Sequence, residues 1–127
     1  MPAAPAIAAT RGIILLAHGS RDPQWRAPIE AVAALIRTTA PDTPVLCAYV
    51  ELCAPSLSEA AINLIAEGAS SIRVFPLFFG VGKHAREDLP RLVNEIRANH
   101  PGVDVELLPT AGEYHELTAL MAGIALA

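Results

Sequence analysis

Charge is scarce in this chain. Lys, Arg, Asp and Glu make up 17% of its 127 residues, against about 25% in an average soluble domain. So small a charged surface predicts an apolar face that meets a second copy of the chain. The charge present sums to −4, which excludes a broad nucleic-acid-binding surface while leaving room for a local basic patch. Cysteine is nearly absent as well. Cys47 and Cys53 lie six apart, which is not the spacing of a redox or zinc pair. Reduced thiols are the expectation, with Cys47 packed as a small hydrophobe and Cys53 near the candidate site as at most an additional ligand. Apolar residues reach 53%, yet no run has the length of a membrane span, so no membrane partner is expected. The first residues lack a basic region, and Pro2 and Pro5 interrupt their apolar stretch. Residues 1–11 therefore read as a flexible tail, residues 12–127 as one domain, and the location as cytoplasmic.

What is present is a regular alternation of strand and helix. Residues 12–17 form an apolar run short enough for a buried strand. Ile29, Val32, Ala33 and Ile36 recur at helical spacing and predict a helix over 25–39. Pro41 and Pro44 break the chain before a second strand over 45–50. Ser56 with Glu59 three residues on is a capping box, and it opens a helix that Gly68 ends. A third strand over 71–78 leads through Gly80 and Gly82 into a helix over 86–99, with Pro90 in its first turn. A fourth strand over 103–108 and a helix over 114–126 that closes the domain complete the pattern. The fold predicted is three-layer α/β/α, with a four-stranded parallel sheet and right-handed crossovers. Order 2-1-3-4 sets the loops after strands one and three side by side.

Ligands bind such sheets at the carboxyl ends of the strands. Three polar groups are placed there: His18 after strand one, Glu51 after strand two and His84 after strand three. Alone, each histidine reads more readily as a surface or capping group, and Glu51 as a solvated strand end. Together they suit a divalent first-row metal with open coordination positions, or proton transfer near neutral pH. Arg21, Lys83 and Arg86 put basic charge at the same edge, suited to carboxylates. Phe78 and Phe79 sit beside them, one facing the core and the other free to line a flat ligand. Gly80-Val81-Gly82-Lys83-His84-Ala85 matches a dinucleotide fingerprint only superficially, because Lys83 and His84 put bulk where a pyrophosphate would approach. The glycines read instead as a tight turn that aims His84 into a cleft.

The motifs His18-Gly19-Ser20-Arg21-Asp22-Pro23, Glu51 with Pro55-Ser56-Leu57, and Pro76 through Pro90 with Gly82, His84, Asp88 and Pro90 at fixed spacing resemble the class II chelatases of the CbiX/SirB type. The resemblance spans residues 12–115. It implies a chelatase-like half-domain and a lyase that inserts Co²⁺, Fe²⁺ or Ni²⁺ into sirohydrochlorin or a related tetrapyrrole, for cobalamin or siroheme. The metal is then a substrate, with no permanently bound cofactor. The resemblance also implies that His18, Glu51 and His84 handle the metal and carry catalysis. Gly19, Ser20, Arg21, Phe79, Gly80, Gly82, Lys83 and Arg86 then hold the tetrapyrrole, and the short chain works as a homodimer with the site in the cleft. The segment Thr110 to Leu117 departs from the family's Gly-x-His-Pro, so His115 is given no role. Two rival readings are a metal or tetrapyrrole carrier with the same pocket, and a histidine phosphotransferase. The second lacks the arginine that would precede its histidine, where Ala17 stands.

Overall fold

The computed structural model of the chain describes residues 10–127. Four strands, β1 (Arg11–Ala17), β2 (Val45–Tyr49), β3 (Ser71–Pro76) and β4 (Asp104–Leu107), alternate with four helices, α1 (Ala27–Thr39), α2 (Leu57–Ala66), α3 (Lys83–Asn99) and α4 (His115–Leu126). All strand pairs are parallel, in the order β2-β1-β3-β4. Both the order and the four βα units agree with the sequence reading. The predicted tail, residues 1–11, overlaps the structure only at its end. Arg11 is the first residue of β1, and residues 1–9 lie outside the described residues.

The central strand β1 is apolar on both sides because both sides are covered. Ile14 and Leu16 pack with Leu57, Leu64, Leu89 and Val93 in a core under α2 and α3. Leu15 packs with Ala33 and Val45 in a smaller core under α1. Each such side chain contributes roughly 1.5–3 kcal/mol by leaving water. Ser56 caps α2 as its sequence predicts, its Oγ accepting from Glu59 N and Glu59 Oε1 accepting from Ser56 N, both at 3.2 Å.

The helices depart from expectation at three places. Trp25 lies in a 3-10 turn over Pro23–Arg26, with Asp22 accepting from Gln24 N at its start, and α1 begins only at Ala27. Helix α3 begins at Lys83 rather than Arg86, with Gly82 as its N-cap. Pro90 therefore lies inside α3 instead of in its first turn. It removes the helical hydrogen bond to the Arg86 carbonyl, and its own position is exposed. Helix α4 does not close the domain in the sense expected: none of its residues is buried, and Leu120, Ile124 and Leu126 stand exposed. No helix among the described residues is long and apolar enough to cross a membrane.

Candidate active site

The β1–β2 pairing continues past both strand ends. Val50 N donates to Ala17 O and Glu51 N donates to His18 O, each at 2.9 Å. These two bonds set the backbones of His18 and Glu51 against each other. The approach is possible only because the next residue is Gly19, with φ of +105°. A Cβ there would lie 1.8 Å from the Glu51 carbonyl oxygen, well inside van der Waals contact. Beyond Glu51 the chain turns back in three residues, Cys53 N donating to Glu51 O at 2.9 Å across Leu52. Leu52 holds φ of +67°, a strained geometry for a non-glycine residue that concentrates at functional sites.

The His18 ring stacks on Phe78, with centroids 4.3 Å apart and planes 23° from parallel. Phe78 is itself 2% exposed, so the core supplies a rigid floor for an imidazole that is otherwise in solvent. Together with Val50, Glu51, Ala85, Asp88, Leu89 and Leu92, these two residues line a pocket of about 180 Å³. Ala85, Asp88, Leu89 and Leu92 form one face of α3, at the spacing i, i+3, i+4 and i+7.

A larger cavity of about 500 Å³ lies on the other side of the β3–α3 loop, between Phe79, Arg86, Pro90, Leu108 and Glu113. Its far wall is a 3-10 turn, Ala111–Glu113. This turn is pinned to the loop by Gly112 N donating to Phe78 O at 3.0 Å. Here too only glycine fits, because a Cβ on Gly112 would lie 1.8 Å from Phe79 O. Glu113 accepts from Thr110 N and Oγ1 at 2.8 Å each, and these bonds hold its carboxyl below the usual carboxylate range.

The predicted site residues therefore divide. His18 and Glu51 share one pocket. His84 does not line it: the earlier start of α3 places His84 in the first helical turn, exposed, one turn ahead of Asp88. Among the described residues, no three histidine, cysteine, aspartate or glutamate side chains are close enough to hold a metal ion between them. Cys53, half-buried, adds no third donor. Ser20 Oγ is engaged within its loop, accepting from Asp22 N at 3.0 Å. Arg21 and Lys83 are exposed, and Phe79, 72% exposed, and Arg86 border the larger cavity. Gly80 and Gly82 are not at positive φ and have open space where a Cβ would be. The backbone demand expected of them falls on Gly19 and Gly112 instead. His115 is exposed at the start of α4.

Asp88, named in the family-like motif but assigned no role from the sequence, also lines the pocket. It pairs with Arg91 at 3.3 Å across an exposed helix face and therefore reads as a solvated charge. Its spacing of four from His84 was the available signal, since i and i+4 share a helix face.

Comparison with known proteins decides the kinship. A model of the CbiX family matches residues 12–123. The chain belongs to the CbiX family. A sirohydrochlorin cobaltochelatase of Saccharolobus islandicus is 35% identical over 102 residues, covering 76% of this chain and 77% of that one. The enzyme of the same name from Saccharolobus solfataricus is 36% identical over 101 residues, with the same coverage. Among solved structures, a cobalamin (vitamin B12) biosynthesis CbiX protein from Marinobacter aquaeolei VT8 superposes with a TM-score of 0.74 at 32% identity, over 91% of this chain and 94% of that one. The sirohydrochlorin chelatase SirB from Bacillus subtilis, solved in complex with cobalt, shares the fold with a TM-score of 0.77 at 19% identity. This CbiX-family chain spans 50% of SirB's length.

Proposed function

We propose that this chain is a sirohydrochlorin metal chelatase, inserting a divalent metal into the tetrapyrrole at the carboxyl edge of its sheet. The observation that carries the reading is the pairing of His18 and Glu51. The His18 imidazole and the Glu51 carboxylate line a pocket floored by Phe78, with Asp88 also in its lining, in a chain whose relatives are named for this reaction. Two donors leave most of a metal's coordination positions to other ligands, as suits an ion on its way to four pyrrole nitrogens. His84, exposed one helical turn from Asp88, supplies a further imidazole when metal and macrocycle are both present. In this reading Arg21, Lys83 and Arg86 pair with the substrate's carboxylates. Exposed Phe79 offers an apolar face to the ring. The reaction consumes M²⁺ and releases two pyrrole N–H protons, so charge balances. Neutral imidazole or carboxylate accepts the protons, Glu51 and Asp88 being the carboxylates that line the pocket. The metal is substrate in this scheme, and Co²⁺ and Fe²⁺ are the candidates, with Ni²⁺ a third.

We infer further that two copies work together. Val50, Leu52 and Phe79 are 47%, 54% and 72% exposed at this same edge, and a second copy set there would cover them and desolvate the site. Sedimentation of the purified chain is expected to give twice the mass of one chain, and a strictly monomeric active enzyme would overturn this inference.

The function itself is tested by following the visible spectrum of anaerobic sirohydrochlorin with Co²⁺, the protein being present at one fiftieth of the substrate. Metallation well past one equivalent of protein, and faster than without it, is the expected result. Conversion that stops at one equivalent marks a carrier and overturns the enzyme reading.

A further inference from the structure

On the opposite face of the sheet from the His18 pocket, a cavity of about 240 Å³ opens between α1 and the end of β2, lined by Arg26, Glu30, Arg37, Cys47, Tyr49 and Pro55. Its chemistry is unbalanced. Two arginines and one glutamate are its charged lining residues, and among the described residues neither arginine ion-pairs. Arg37 donates one N–H to Val45 O at 2.9 Å, which leaves most of its five donors free. Arg26 Nε is the one buried side-chain nitrogen or oxygen without a hydrogen-bond partner among the described residues. A buried donor left unpaired is costly, and a charged one more so. The remaining walls bring no compensating negative charge. Burial pushes the Cys47 thiol up, with Glu30 adding to the shift. Burial likewise pushes the Tyr49 phenol up to about 12. Both groups are neutral at physiological pH.

We propose that this cavity is a second binding site, specific for a carboxylate group, which Arg26 and Arg37 hold by charge-assisted hydrogen bonds. The excess of one positive charge over Glu30 matches a single carboxylate, and the planar guanidiniums suit its two oxygens. Tyr49 lies two residues before Glu51, so the site adjoins the candidate active site along the chain without sharing its lining residues. The carboxylate belongs either to a small free acid or to an arm of a larger ligand bound at that neighbouring pocket.

The test is a ¹H–¹⁵N titration of the intact chain with acetate at constant ionic strength, following the arginine Nε–H signals, with Arg26→Lys to assign the peak. The expected result is a saturable shift of the Arg26 signal with a millimolar dissociation constant, weakened roughly tenfold in Arg37→Lys, the loss of one good charge-assisted contact. Loss of the acetate response in the presence of saturating sirohydrochlorin assigns the site to an arm of that ligand, and an unchanged response assigns it to a free acid; both uphold a carboxylate site. A linear drift of Arg26 that matches the exposed arginines overturns it.

Discussion

Gly19→Ala is expected to lower the stability of the chain by about 2–4 kcal/mol, in the range where backbone strain and steric conflict combine. The new methyl group would lie 1.8 Å from the Glu51 carbonyl oxygen, on a backbone at φ of +105°. A main-chain carbonyl cannot swing aside as a flexible side chain can. The Glu51 N–H···O His18 bond, 2.9 Å long, must lengthen or break, and the imidazole and carboxylate separate. Metal insertion per folded molecule is therefore expected to fall at least tenfold, the order of loss seen when groups that orient metal-handling residues are removed. Urea denaturation measures the first effect and the insertion rate of the folded fraction the second. Gly80→Ala is the matched control: with open space at its Cβ, it should stay within about 0.5 kcal/mol of the parent. Equal stability of the two variants would show that the loops do not depend on their close approach at Gly19.

Phe78 is expected to separate packing from positioning. Phe78→Ala empties a site that is 2% exposed in the main core and should cost about 3–5 kcal/mol. Phe78→Leu keeps most of the volume and should cost less than about 1.5 kcal/mol, but it removes the ring on which His18 rests at 4.3 Å. A stack of this kind is worth about 0.5–1.5 kcal/mol. Without it the imidazole samples other rotamers, and the turnover number should fall roughly tenfold, which corresponds to the upper end of that range. A Leu variant with unchanged turnover would mean that the stack is packing alone.

The elements were legible in the sequence because apolar runs of strand length are separated by Pro, Gly and polar turns, and because Ser56 and Glu59 announce α2. The start of α3 was not. Gly82-Lys83-His84 carries no apolar periodicity, a glycine N-cap has no side-chain signal, and Pro90 suggests a start near itself although it lies well inside the helix. That error of three residues turned His84 from a loop group aimed into the pocket into an exposed group on the first turn. The pairing of His18 with Glu51 was readable from strand order, since order 2-1-3-4 makes β1 and β2 neighbours. The glycines that matter most were hidden. Gly19 and Gly112 are constrained by contacts with carbonyls far along the chain, at Glu51 and Phe79, whereas the motif drew attention to Gly80 and Gly82. Likewise α4 was placed within one residue, but propensity fixes where a helix forms and not what it packs against.

The central claim is that the carboxyl edge of the sheet, through His18 and His84, delivers the metal to the macrocycle. The most direct measurement is the initial rate of cobalt insertion by His18→Ala and His84→Ala, each confirmed folded by circular dichroism and its melting temperature. Both side chains are exposed, so both variants should fold, and each should lose at least about 100-fold in rate, the scale of a positioned acid–base or ligand group. Full activity in either variant, once shown to be folded, would contradict the account.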